Sequence, residues 1–222
     1  MSPAESVPTA SGASRSAPTI RLALAAAALA CTAVAIGLAL GADSAERWRL
    51  AARYTARLSF LVFVPVFAAS AWHRLSPGAA SRWLMRRRRS LGLSFATSHT
   101  VHLGALTMAN LVAGTMPNAT TLVGGGGAYG MLYLLAATSN DAAVRRLGAR
   151  RWQRLHRTGV YWLWFVFTFS YAGRVAGGRL ELAPLLALAL AAWALRIGAW
   201  RARRARHGAL PASAAADAEG RV

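Results

Sequence analysis

Of the 222 residues, 55% are hydrophobic and 15% charged, yet the formal net charge is +19. That balance is too apolar for an ordinary soluble domain, and the 26 cationic residues, all arginine, stand in clumps between long apolar blocks. Such clumps read as topology signals facing anionic lipid rather than as a nucleic-acid footprint, and one cysteine, Cys31, excludes a disulfide framework or a thiolate metal centre within the chain.

A helix crosses the hydrocarbon in roughly 20 residues, so the apolar blocks are taken in turn as spans. Residues 1–19, rich in Ser, Ala and Pro, form a disordered tail in this reading. Block 20–41 is the first span; its uncharged core exceeds the roughly 7–15 residues of a cleaved signal, so it is retained. Residues 42–57 form a polar connection with Asp43, Glu46 and four arginines. The second span, 58–72, ends at His73 and Arg74 and is short, but Tyr54, Arg57 and Arg74 can snorkel at its ends. A connection over 76–90 carries Pro77, Gly78, Arg82 and the run Arg86, Arg87, Arg88, Arg89.

From residue 90 to residue 140 the only ionisable side chains besides tyrosines are two histidines, over a length that holds two spans. Pro117-Asn118 and the four glycines Gly124, Gly125, Gly126 and Gly127, poor helix formers, mark the break between them. The third span is placed at 91–114 and the fourth at 128–139, starting a few residues earlier. Residues 141–157 make a basic loop. The fifth span covers 155–172 and can begin as early as Gly148; the sixth covers 182–200, interrupted by Arg196, and a basic tail follows over 201–222. The expected fold is all-α: a polytopic six-helix transmembrane bundle over 20–200 between two cytoplasmic tails. Arginines crowd the loops after spans two, four and six, which places both termini in the cytoplasm. The four arginines after span one run against that rule.

All seven acids, Glu5, Asp43, Glu46, Asp141, Glu181, Asp217 and Glu219, fall outside the spans. That disfavours an ion-coupled carrier, and no metalloprotease, serine hydrolase or phosphate-loop motif is present. Histidine remains. His99 and His102 stand at i and i+3 on one face of span three, roughly 12 and 16 Å into the bilayer from Leu91. His156 opens span five, just past the arginine cluster. Two imidazoles on separate helices, free of thiols and carboxylates, suit axial ligation of a b-type haem, whereas a pair of interhelical hydrogen bonds is the plainer alternative. Arginines at the cytoplasmic mouth, Arg89, Arg154 and Arg157 among them, can pair with propionates. His73 reads as interfacial and His207 as solvated. Depth alone favours His99 as the partner of His156, and the choice between His99 and His102 stays open.

The motifs R-R-x-L-G-L…H over 88–102 and T-S…R-R-L-G-x-R-R-W-Q-R-L-H-R-x-x-x-Y over 138–161 resemble the ferric-reductase-like transmembrane domain, and within it the MsrQ-like haem-binding membrane subunits. The resemblance covers residues 86–171; the other spans match in kind. It implies a bacterial inner-membrane protein that ligates haem b through His102 and His156, with His99 an extra histidine one turn earlier. It further implies electrons drawn from a cytoplasmic flavin (FMN) or from quinol, through a redox partner protein. Members with two haems carry another histidine near residues 168–170, and none stands here, so one haem is expected. Only about 22 residues follow span six, too few for a flavin or nicotinamide domain. The alternative is a haem-free membrane scaffold that keeps the fold and binds a partner.

Overall fold

The computed structural model describes residues 13–219, with side chains described over 17–205, and among these residues helices and short links account for the whole chain. In order they are α1 (Ala13–Leu40), α2 (Ser44–Leu75), α3 (Ala79–Ala113), α4 (Ala119–Ala137), α5 (Asp141–Leu147), α6 (Ala149–Ala176), a 3-10 turn (Leu180–Leu182) and α7 (Ala183–Glu219). The all-α expectation holds. Three segments, Ala17–Leu40, Ser44–Leu75 and Leu180–Ala205, are long and apolar enough to cross a membrane. The tail expected over 1–19 lies outside the described residues as far as residue 12, and helix begins at Ala13.

Three stretches expected as polar connections are largely helical. Residues 44–57 are the first part of α2, because the chain caps itself: Asp43 Oδ1 accepts from the Glu46 N–H (2.7 Å) and Glu46 Oε2 accepts from the Ala42 N–H (3.0 Å). The run from Arg86 to Arg89 lies in α3, which starts at Ala79. The basic loop over 141–157 is α5, capped by Asn140 on the Ala143 N–H at 2.7 Å, followed by the opening turns of α6. Gly148, at φ 75°, separates the two helices in a conformation few other residues adopt. Hydropathy marks where lipid can sit; it does not mark where a helix must end.

The break at Pro117-Asn118 is where it was expected, and the four glycines are not part of it. Asn118 caps α4 on the Thr121 N–H (2.9 Å), and the helix runs on through Gly124 to Gly127. A cost near 1 kcal/mol per glycine is a figure for water. In an apolar setting an unwound backbone loses its hydrogen bonds, and that penalty is larger. Gly127 also passes the Trp162 ring, 3.7 Å from where a Cβ would stand.

The chain divides into two compact units. The first comprises Met1–Ser59 and Arg89–Met116, and so holds α1, the first part of α2 and most of α3. Small residues let its backbones approach: a Cβ on Gly37 would collide with the Ala51 backbone. Ala51, Ala52, Ala105 and Ala109 form the core, with Val34, Trp48 and Leu106 against it. Between helices in lipid such close packing, not water exclusion, supplies the attraction.

The second unit comprises Phe60–Arg88 and Pro117–Val222. Here α6 is the hub, packed against α4, α5, α7 and the 3-10 turn. Phe60, Phe63 and Phe67 of α2 are fully buried and meet Phe167, Tyr171, Trp164 and Tyr161 at ring separations of 5.0–5.8 Å. Trp193 of α7 stacks on Trp164 at 4.6 Å. Each such pair adds about 0.5–1.5 kcal/mol beyond area. Arg196, the interruption in span six, lies inside this cluster. Its guanidinium sits over Phe67 and Tyr161 at 4.5 and 4.6 Å, donates from Nε to the Tyr161 hydroxyl (3.1 Å), and donates from NH1 to the Phe67 carbonyl (2.6 Å).

Candidate functional site

The expected ligands fall into two histidine settings, one in each unit. In the first unit, His99 and His102 project from the same face of α3, with ring centroids 5.1 Å apart. His99 is buried and packs on Phe95 at 5.3 Å; His102 is half-buried. Thr55 of α2, fully buried, places Oγ1 3.1 Å from His102 Nδ1. One turn further along the same face of α2, Ser59 is fully buried and its hydroxyl has no hydrogen-bond partner. An unmatched buried hydroxyl costs about 1–3 kcal/mol. A stability-only design would avoid it; a seam that accommodates a further group would tolerate it.

In the second unit, His156 of α6 is half-buried. Its Nε2 lies 3.0 Å from Oγ1 of Thr138, the residue that closes α4. Trp152, one turn before His156, stacks on the imidazole at 4.1 Å and donates its Nε1–H to the Thr138 carbonyl (2.8 Å). The motif over 138–161 thus folds onto itself: Thr138, Trp152 and His156, separated in sequence, make one cluster. Gly159 permits it, because a Cβ there would meet Leu135 and Met131 of α4 at 2.8 Å.

Arg89, Arg154 and Arg157 are exposed. Arg154 and Arg157 stand at i−2 and i+1 from His156, offsets that turn them away from its face. Arg88, half-buried in the second unit, stands one position from the residue singled out by sequence. Burial, then the charges of Arg196 and Arg74, hold its pKa below the usual arginine value. It remains a cation, since guanidinium keeps its proton at any ordinary pH. His73 Nδ1 pairs with the Ser81 hydroxyl (3.1 Å) in the turn between α2 and α3, a local structural task. His207 lies beyond the described side chains.

Sequence reading missed Thr55, Thr138 and Arg196 as partners. A polar pair at helical spacing across the start of the second apolar block, Thr55 and Ser59, is a usable signal for the first. The Thr138–His156 link leaves no such local trace. Among the described residues no three His, Cys, Asp or Glu side chains gather at one point. Each of His102 and His156 has one ring nitrogen within hydrogen-bond distance of a threonine hydroxyl. A second nitrogen with a lone pair on each ring suits axial ligation of a haem.

Two curated proteins are similar to this chain. Both are protein-methionine-sulfoxide reductase haem-binding subunits named MsrQ. The one from Ralstonia nicotianae is 32% identical, the match covering 45% of this chain and 65% of that protein. The one from Azospira oryzae is 31% identical, with 46% of each chain covered. The chain is similar to these MsrQ proteins over part of its length, and it spans less than two thirds of the length of either. No family model and no solved structure matches it.

Proposed function

We propose that this MsrQ-like chain is an electron-transfer subunit of the bacterial inner membrane that holds one b-type haem through His102 and His156. The observation that carries the reading is the setting of these two rings: each has one nitrogen within hydrogen-bond distance of a threonine hydroxyl, within helices free of acids and thiols. The relatives' haem-binding designation supports it. Bound haem supplies a one-electron carrier whose iron, ligated on both faces, keeps no open position for a substrate.

The chain's own residues would do the rest. Thr55 orients His102. Thr138 and Trp152 orient His156, which offers Nδ1 as arranged and Nε2 once the ring leaves Thr138. Arg88 and Arg89, with Arg154 and Arg157, supply positive charge for propionates and for a cytoplasmic donor protein or quinol. In this reading six spans cross the bilayer and both termini are cytoplasmic, with α1, α2 and α7 joined by spans in α3, α4 and α6. One haem set near the cytoplasmic face leaves the outward acceptor to a partner.

A haem-free scaffold is the second reading, favoured by one fact: both rings already have protein partners, so the fold satisfies them without a cofactor. A reduced-minus-oxidised absorption spectrum of detergent-purified protein, with haem quantified per chain, separates the two. About one low-spin haem per chain is expected; none, from cells rich in haem, selects the scaffold.

A further inference from the structure

Thr55 has one hydroxyl proton and three close neighbours. Its Oγ1 lies 2.7 Å from the Ala51 carbonyl oxygen, 3.1 Å from the Ala52 carbonyl oxygen and 3.1 Å from His102 Nδ1. Two oxygens at 2.7 Å need a proton between them, since otherwise their lone pairs repel. The carbonyl has none, so Thr55 donates it. With that proton committed to α2's own backbone, Oγ1 faces the imidazole as an acceptor, and the donor is His102 Nδ1–H. A neutral imidazole carries a single N–H, so the lone pair rests on Nε2.

We propose that Thr55 is a positioning residue that fixes His102 as the Nδ1–H tautomer and so presents Nε2 as the ligating atom; this rests on the haem reading above. Thr55 is wholly inaccessible, so no water competes for the contact. The same reasoning assigns His156 the opposite tautomer. Thr138 Oγ1 lies 2.7 Å from the Leu134 carbonyl oxygen and donates to it, so the donor across the 3.0 Å contact is His156 Nε2–H. His99, one turn earlier on α3, meets Phe95 and His102 with its ring. A metal-ligating histidine usually donates its other ring N–H to a hydrogen-bond acceptor, which fixes the tautomer and the ring orientation.

The test is nitrogen-15 NMR of histidine-labelled full-length protein, made without haem, at a pH where imidazoles are neutral. Single-histidine replacements assign the signals. His102 is expected protonated on Nδ1 and His156 on Nε2, each serving as the other's control in one spectrum. Thr55→Val is expected to release His102 to the Nε2–H form favoured by free imidazole, and Thr55→Ser to restore Nδ1–H. In haem titrations Thr55→Val should weaken binding by about 10–100-fold, with Thr55→Ser close to the parent. An Nε2–H His102 in the parent, or an unchanged tautomer in Thr55→Val, overturns the proposal. Should the tautomers come out as expected while even the parent takes up no haem, the haem reading falls and the control of His102 by Thr55 stands.

Discussion

Thr138 Oγ1 and His156 Nε2, eighteen residues apart in sequence, meet at 3.0 Å and tie the end of α4 to the start of α6. Trp152 locks the pair from the side, with its indole N–H on the Thr138 carbonyl at 2.8 Å. Three residues of one arginine-rich motif therefore secure a helix junction as well as a candidate ligand.

Thr138→Val should cost about 1 kcal/mol of stability, the net worth of one hydrogen bond. Trp152→Phe should cost a similar amount. Because the two act on one cluster, the double variant is expected to lose less than the sum, by about 0.5 kcal/mol or more. Denaturant melts in detergent measure this, and strict additivity would show that the contacts are independent.

Removal of either proposed axial ligand should abolish the haem spectrum while membrane insertion persists. His102→Ala and His156→Ala are both expected to yield haem-free protein. His99→Ala is expected to keep about one haem per chain, since the threonine anchor is on His102. A haem-replete His102→Ala protein beside a haem-free His99→Ala protein would transfer the ligand to His99.

Two glycines make opposite demands. A Cβ on Gly37 meets the Ala51 backbone, which cannot move without shifting α2, whereas a Cβ on Gly159 meets the far ends of Leu135 and Met131. Gly37→Ala should therefore lose more than the roughly 1–3 kcal/mol typical of overpacking. Gly159→Ala should stay at or below about 1 kcal/mol, since Met131 can rotate away. Folded yield by size-exclusion chromatography ranks the two, and equal yields would contradict this account of the α1–α2 approach.

Arg196→Lys is expected to be severe despite keeping the charge. An ammonium cannot span the Phe67 and Tyr161 rings while also donating to the Tyr161 hydroxyl and the Phe67 carbonyl. A loss of about 2 kcal/mol fits one desolvated cation–π contact. Tryptophan emission from Trp164 and Trp193 reports it, because both rings belong to the same cluster. An unchanged melt and spectrum would reduce Arg196 to an electrostatic role.

Much of this molecule is local and therefore readable along the chain. Apolar blocks without charges dictate an all-helical chain, since backbone groups in lipid must bond within their own segment. Proline followed by an asparagine cap sets the boundary between α3 and α4, and Gly148 sets the start of α6. The spacing of His99 and His102 fixes them to one face before any packing is known, and the arginine-rich motif points to His156. Other features depend on neighbours from distant parts of the chain. Helix persists through four glycines, with Asn118 capping its start and Gly127 lying against the Trp162 ring. The polar stretch after residue 43 is helical because two acids cap it, a geometric event that hydropathy does not register. The partner of His102 lies 47 residues away on α2, and Arg196 finds its two rings across three helices. Composition and period thus determined which segments are helices and which side chains can do chemistry, while tertiary packing alone decided which threonine hydroxyl His102 and His156 each face, since a hydrogen bond forms between neighbours in space and leaves no period in the sequence.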